Sequence, residues 1–334
     1  MRGRDLAAHR GGSARRPGAA RGRRPLSWLE TCRATVSRWE VDNVDHFTVA
    51  YYFARLQDAT EVMLAALGLD AAALAPAGQA AVTAGCHARY TRELRTGDIF
   101  HFRSGVIGVS ADGLRLGHEI LDSGDGAVCT RIEQDVALID RASRAPRPLT
   151  AAHQRAAAGY RVDWSAEPAP APAAGDGELI EAAVDVVKPA EVDTLGEAGL
   201  AAYIHRFSAA NAHVLAAFGM TPAYSRRERR GFSTFEFRFR LTGALRAGDV
   251  ARVRSGLLHL GNSSLRILHR LADGRTGATV ATLEQAGVHF DLEARRPAPL
   301  PPALRERAAA LLRPAAGPAV SGRGTAAGAS PRTP

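Results

Sequence analysis

Apolar residues recur at helical spacing between residues 49 and 67 and predict a long helix there. Positions three and four apart lie on one face of a helix, so this spacing builds a wide apolar face suited to packing against a sheet. Gly68 follows the last of them, and glycine is common just past a helix C-terminus because it adopts positive φ without strain. The apolar positions are Val49, Tyr52, Phe53, Leu56, Met63, Leu64 and Leu67.

A short β-prone run precedes this helix, and four stretches of alternating apolar and polar residues follow it. Alternation with a period of two is typical of a half-buried strand, and turns rich in Gly, Asp and Ser separate the stretches. One strand, a long helix and four strands predict an α+β unit whose helix packs against an antiparallel sheet. The predicted strands are Cys32–Trp39, His87–Leu94, Ile99–Ser110, Arg115–Asp122 and Ala127–Ile139.

The whole pattern occurs a second time at a constant offset of 151 residues. So many matches in one register, without a gap, indicate a tandem duplication. The matches include Asp42 with Asp193, Gly68 with Gly219, Arg103-Ser104-Gly105 with Arg254-Ser255-Gly256, His118 with His269, and Glu133-Gln134 with Glu284-Gln285.

The duplication predicts two domains, at residues 29–150 and 179–302. Between them, residues 151–178 are expected to form a short helix and then an extended Pro/Ala-rich linker. Residues 1–28 are expected to be a disordered basic leader. Residues 303–334, rich in Gly, Ala, Pro and Ser, are expected to be a mostly disordered tail.

The net charge of +9 changes this picture little, because residues 1–28 hold eight Arg and one Asp and so supply most of it. Lys188 is the single lysine, which indicates an Arg-rich composition rather than a surface that binds nucleic acid. We find no apolar stretch of membrane-spanning length and expect no membrane partner. Three widely spaced cysteines, without metal-ligand spacing, predict reduced thiols in a cytoplasmic protein and no metal or other cofactor.

The residues that lead into the first helix resemble a known signature. The segment Asp42-Asn43-Val44-Asp45-His46-Phe47-Thr48-Val49-Ala50-Tyr51-Tyr52 is similar to that of the 4-hydroxybenzoyl-CoA-thioesterase-like families of hot-dog acyl-CoA thioesterases. Their pattern is Asp, a spacer, Gly-His-Met-Asn, then Ala-Tyr-Tyr. The resemblance implies two hot-dog domains, each an antiparallel sheet wrapped around a long helix. It also implies that they form an intramolecular pseudo-dimer with the active site in the groove between them.

The resemblance also implies roles for three residues of this segment. Asp42 is expected to act as base or nucleophile, although an Asp at this point also suits a cap of the turn. His46 is expected to orient the thioester carbonyl or relay a proton, and the alternative is a loop histidine bonded to backbone. Thr48 is expected to cap the helix, where free backbone N–H groups suit a developing oxyanion.

Five further residues are weaker candidates for substrate binding. Tyr52 is also suited to core packing, and Asp58 and Glu61 to a solvated helix face or an ion pair with Arg55. In the second copy Glu197 replaces the histidine, so we expect an altered or inactive second site. His118 and His269 recur in both copies, which favours a structural role. The five candidates are Tyr52, Asp58, Glu61, Asp193 and Glu197.

The resemblance therefore implies a thioesterase of lipid metabolism that acts on acyl-CoA or acyl-ACP, as a monomeric pseudo-dimer or a homodimer of it. Two alternatives remain open. One is a hot-dog dehydratase or hydratase acting on an acyl thioester, and the other is a non-catalytic acyl-thioester-binding protein.

Overall fold

The structure is a computed structural model that describes residues 27–42, 44–165 and 179–312. Most of the expected basic leader, the Pro/Ala-rich part of the expected linker, and the expected tail from residue 313 onward lie outside these ranges. The disorder expected for those segments therefore stays a prediction.

The first repeat contains one strand, the long helix, four further strands and a closing helix. Gly68 ends the long helix with a φ of 70°, in the left-handed region that the sequence pattern predicted. The elements are β1 Leu29–Thr35, α1 Val49–Leu67, α2 Ala71–Leu74, β2 Gln79–Tyr90, β3 Ile99–Val109, β4 Gly113–Asp122, β5 Val128–Asp140 and α3 Ala151–Gly159.

The second repeat reproduces this order. It ends in a helix, α6, that lies beyond the expected domain end at residue 302 and differs from the expected tail. Leu304 and Ala308 lie one helical turn apart and are both buried, so they anchor α6 to the domain. The elements are β6 Ile180–Val186, α4 Leu200–Ala217, α5 Pro222–Glu228, β7 Arg230–Leu241, β8 Val250–Leu260, β9 Ser264–Asp273, β10 Thr279–Asp291, β11 Arg296–Pro297 and α6 Pro302–Ala310.

The strands of the described residues form a single sheet in the order β1-β3-β4-β5-β2-β7-β10-β9-β8-β6, with β11 beside β10. The two halves join where β2 pairs with β7 in antiparallel register, with His87 opposite Arg238. These two residues occupy equivalent positions of the repeat, so an approximate twofold axis passes through the pair. The predicted α+β pseudo-dimer of two hot-dog domains is confirmed, and its two sheets join edge to edge.

The central helices α1 and α4 pack against each other on one face of this sheet. Between them and the β2–β7 junction lies a cluster of buried rings to which both halves contribute. The ring centroid of Phe239 lies 6.4 Å from that of Phe53, 6.0 Å from that of Tyr203 and 6.4 Å from that of Phe207. Because this cluster belongs to one continuous core, the halves are expected to unfold together.

A buried polar network lies beneath each central helix. In the first half, Ser104 Oγ lies 2.7 Å from His118 Nδ1, and His118 Nε2 lies 3.0 Å from Gln134 Oε1. In the second half, Ser255 and Gln285 contact the two ring nitrogens of His269 in the same way. Burial lowers the pKa of both histidines to about 4. The neutral, fully buried rings have the structural role that their repetition indicated.

Among the described helices, none alone has the length and apolar composition of a membrane span. The bent pair formed by α1 and residues 71–77 meets that test together. The apolar face of α1 lies in the protein core, with Phe53, Leu56 and Met63 fully buried.

Candidate functional site

The loop that leads into α1 is a tight turn held by Asp42. Its Oδ1 accepts hydrogen bonds from the backbone N–H groups of Val44 at 2.9 Å and His46 at 3.0 Å. Asp45 lies within the turn at a φ of 61°, a conformation that Asp tolerates better than most residues. Asp42 therefore has the turn-capping role that was its alternative interpretation, while its second oxygen, Oδ2, faces His46.

The second repeat builds the same turn. Asp193 Oδ1 accepts from the N–H groups of Leu195 at 2.8 Å and Glu197 at 3.1 Å, and Gly196 replaces the positive-φ Asp45. The aspartate thus recurs in both copies for a reason of local backbone structure. The side chain four residues after the aspartate also differs, His46 in the first copy and Glu197 in the second.

The His46 ring lies among two carboxylates and an arginine. Its Nδ1 lies 3.9 Å from Asp42 Oδ2, and its Nε2 lies 3.1 Å from Glu93 Oε1. Arg295 of the second half places Nη2 at 2.7 Å from the same Nε2. Burial lowers the pKa of His46, and Asp42 and Glu93 only partly oppose this shift. The imidazole is therefore neutral near pH 7 and has a lone pair for accepting a proton.

Glu93, three residues after the end of β2, belongs to this site although the sequence did not indicate it. Burial alone would raise the pKa of its carboxyl group, but hydrogen bonds from Arg295 and Arg95 lower it overall. Glu93 is thus held as a carboxylate beside His46. The site thus holds two carboxylates, those of Asp42 and Glu93, within contact distance of the His46 imidazole.

Thr48 occupies the N-cap position of α1, as expected, but its side chain makes no capping hydrogen bond. Its counterpart is Gly199, so neither copy caps the central helix with a side chain. Thr48 and Val49 instead line a groove. The first N–H groups of a helix have no partner within the helix, so this end of α1 can stabilise a negatively charged oxygen.

This main groove has a volume of about 590 Å³ and draws on both halves. One wall is the loop with Asp42 and His46, and Tyr52 contributes to it from within the core. Tyr52 is 4% exposed and packs its ring on Phe47, which fits its core-packing alternative. Residues of α4, β7 and the segment between them form the opposite wall, including Asn211, Ala212, Leu215, Met220, Phe232 and Phe235.

The equivalent second groove is much smaller, about 70 Å³. Glu197 is ion-paired with Arg144 at 2.7 Å instead of presenting an imidazole. The amide of Gln57 fills the space over Gly199, since a Cβ there would lie 2.7 Å from Gln57 Oε1. Glu61 and Asp193 line this groove, and burial raises the pKa of Glu61, with Asp193 adding to the shift.

The remaining candidate, Asp58, lies in neither groove. Its side chain is 61% exposed and lies 3.7 Å from the guanidinium of Arg55, in agreement with the ion-pair alternative. The structure thus brings Asp42, His46 and Thr48 to one groove, with Tyr52 behind them. It brings Glu61, Asp193 and Glu197 to the other. Within the described ranges, no cluster of three or more His, Cys, Asp or Glu side chains suits a metal ion.

Comparisons with known proteins agree with this architecture. The sequence model of the family described as "Thioesterase-like superfamily" matches residues 36–174 and residues 187–308, one match in each repeat. No curated protein matches the chain.

Solved structures share the tandem fold. An acyl-ACP thioesterase from Bacteroides thetaiotaomicron has a TM-score of 0.60 at 13% identity, over 77% of this chain and 96% of that one. A 12:0-ACP thioesterase from Umbellularia californica has a TM-score of 0.61 at 13% identity, over 77% and 93%. At such low identity the likeness shows the fold alone.

Proposed function

The chain belongs to the thioesterase-like superfamily, and from this premise we propose that it hydrolyses an acyl-CoA or acyl-ACP thioester to the free acid and the thiol. We propose that the reaction takes place in the main groove. The observation that carries the proposal is the convergence of Asp42, His46 and Glu93 beside the N-terminus of α1, at a groove whose other wall comes from the second half.

The size and lining of the main groove support an acyl thioester as the substrate. Its volume of about 590 Å³ lies within the usual range of small-molecule sites, roughly 300–1,000 Å³. Leu215, Met220 and Phe232 offer apolar surface to an acyl chain, opposite the wall that holds the ionisable groups. The thioester bond then lies at the loop and the acyl chain along α4 and β7.

The neutral imidazole of His46 suits the role of general base. It takes a proton from water as the water oxygen bonds to the thioester carbonyl carbon. The Asp42 and Glu93 carboxylates stabilise the imidazolium that forms. When the intermediate collapses, the carbon–sulfur bond breaks and the imidazolium returns the proton to the leaving thiolate. The products are the carboxylic acid and the thiol, and His46 is neutral again.

The N-terminus of α1 supplies the second requirement of this reaction, donors for the carbonyl oxygen. Thr48 and Val49 line the groove, and the first-turn N–H groups near them lack helical partners. The helix dipole adds a favourable field for the oxyanion. The donors expected to act are these backbone groups.

Release of free thiol from a panel of acyl-CoA and acyl-ACP substrates tests the proposal. Asp42→Asn keeps an oxygen for the turn but loses the charge that stabilises the imidazolium, so we expect a rate loss of at least about tenfold without loss of fold. Asp193→Asn is the matched control, because it makes the same change in the same turn beside the small groove. We expect that variant to keep wild-type turnover.

The other outcomes decide between the alternatives. Full activity of Asp42→Asn would contradict the proposed site. Hydration of an enoyl thioester without thiol release would support a hydratase instead. Tight binding of acyl thioesters by a protein that turns over no substrate in the panel would support a binding protein.

We further propose a cytoplasmic location and a working unit of one chain or a homodimer of it. Cys32, Cys86 and Cys129 are free thiols, and Cys86 and Cys129 are buried, which suits a reducing compartment. Each chain already contains both walls of the main groove. Cell fractionation and light scattering test these two statements.

A further inference from the structure

Arg295 reaches the site from the opposite half of the molecule. It lies in the turn between β10 and β11, at a φ of 52°, which is uncommon for a residue other than glycine. Asp291 holds this turn, because its Oδ1 accepts hydrogen bonds from the N–H groups of Glu293 and Ala294. The guanidinium lies over the ring of Phe290, 5.6 Å from its centroid, and extends to His46 and Glu93.

The equivalent residue of the first half, Arg144, is built in the same way. Its φ is 59°, and Asp140 holds its turn through the N–H groups of Ala142 and Ser143. Its guanidinium also crosses to the other half, where it lies 2.7 Å from Glu197 Oε1. Each half thus extends one arginine from a positive-φ turn to a residue in the loop before the other half's central helix.

The two arginines meet different chemistry at their ends. Arg144 forms an ion pair with a carboxylate, and that groove is small. Arg295 meets an imidazole nitrogen at 2.7 Å and the carboxylate of Glu93, and that groove is large. A guanidinium can only donate hydrogen bonds, so Nε2 of His46 accepts the hydrogen bond from Nη2 of Arg295. Glu93 Oε1 lies 3.1 Å from the same nitrogen as a charged contact and forms no hydrogen bond with it. The ring proton is then on Nδ1, the nitrogen that faces Asp42.

We propose that Arg295 is a positioning residue, contributed by the second half, that holds His46 as the Nδ1-protonated tautomer and so keeps a lone pair on its Nε2. This inference rests on the proposed function, in which that lone pair accepts the proton of the attacking water. When substrate binds, the water replaces Nη2 at the lone pair, and Glu93 retains the guanidinium. The catalytic half is therefore incomplete without a residue that lies 249 positions away.

The charged groups around His46 determine what removal of Arg295 does. Asp42 and Glu93 favour the protonated ring, and Arg295 and Arg95 disfavour it. Arg295→Gln removes one of the two cations, so the pKa of His46 rises. At low pH His46 is protonated and cannot act as the base, so kcat/KM falls on the acid side of the rate profile. In the variant this acid limb moves to higher pH.

The test compares Arg295→Gln with Arg144→Gln, which removes the equivalent arginine at the small groove. We expect Arg295→Gln to lower kcat at least tenfold and to move the acid limb of kcat/KM upward by about one pH unit. Arg295→Lys restores the charge but not the two-pronged donor, so the limb returns toward its wild-type position while kcat recovers only in part. Arg144→Gln is expected to keep the wild-type kcat and the wild-type position of the acid limb. Its change in melting temperature is expected to be similar to that of Arg295→Gln.

A second readout does not depend on turnover. In ¹⁵N-histidine-labelled protein, with His46 assigned through a His46→Gln variant, the ring shifts report the tautomer and its titration. We expect the Nδ1-protonated form in the wild type, and a mixture of tautomers with a higher pKa in Arg295→Gln. If the tautomer and titration are unchanged, the positioning role is wrong. If they change as expected while the wild type releases no thiol, the proposed function fails and the positioning role stands.

Discussion

Acidification provides a direct test of the buried networks around His118 and His269. Both rings are fully buried, and their pKa of about 4 lies below the ordinary value of 6.5. The folded state therefore binds these two protons less readily than the unfolded state. Their contribution to stability is complete above pH 6.5 and is lost as the pH falls toward 4.

The size of the effect follows from the shift. At about pH 5 the unfolded histidine is mostly protonated and the folded one mostly neutral, which costs about 2 kcal/mol for each ring relative to pH 7.5. The two rings together then account for about 4 kcal/mol. That is a large part of the roughly 5–15 kcal/mol by which folded domains are stable.

Urea denaturation at about pH 7.5 and about pH 5 measures this loss. His118→Asn and His269→Asn replace the ring with a neutral hydrogen-bonding group, so each is expected to reduce the loss by about 2 kcal/mol. The double variant is expected to lose about 4 kcal/mol less than the wild type. The variants are less stable at pH 7.5 because the smaller side chain leaves a cavity, but that offset cancels in the difference between the two pH values.

His213→Asn is the control, since His213 is exposed on α4. It is expected to keep the wild-type difference between the two pH values. The reasoning is refuted if His118→Asn and His269→Asn also keep the full wild-type difference. That result would mean that the folded protein accommodates protonated rings at these positions.

Two further changes test the shared core and the main groove. Phe239→Ala empties a site that is 2% exposed at the junction of the halves, so calorimetry is expected to show one transition destabilised by about 3–5 kcal/mol; two separate transitions in the wild type would contradict a common core. Ala212→Trp places a large ring in the main groove and is expected to lower kcat/KM at least tenfold in the thiol-release assay. Ala209→Trp, on the exposed face of the same helix, is expected to leave it unchanged; equal rates for both variants would place the substrate elsewhere.

The fold was largely predictable because each element has a local cause. The apolar spacing that predicts α1 depends only on nearby residues. The repeat offset follows from a comparison of the two copies. The start of β2 was the main exception, since the strand begins at Gln79 rather than His87. Residues 79–86 are mostly small, and Ala and Gly have little strand propensity of their own. Pairing with β5, from Gln79 opposite Asp140 onward, makes this segment a strand.

The site was predictable only as far as one segment carries it. The spacing of Asp42, His46 and Thr48 along a single loop brought them to one groove. Glu93 and Arg295 were missed because their contacts depend on how distant elements pack. A signal for Arg295 was nevertheless present, since Arg144 stands at the same position of the first repeat. The role of Asp42 in the turn was likewise visible in its recurrence as Asp193.

The two halves that meet at the junction of β2 and β7 belong to one polypeptide, so they need not have the same sequence. In an assembly of two identical chains, a mutation beside one crevice appears beside the other as well. Here a codon change at position 197 leaves position 46 untouched. The main groove can therefore keep the imidazole of His46 while the second groove has the carboxylate of Glu197, which is ion-paired with Arg144. Covalent fusion thus permits the two grooves to specialise. One can hold ionisable groups suited to catalysis, and the other an ion pair that links the two halves.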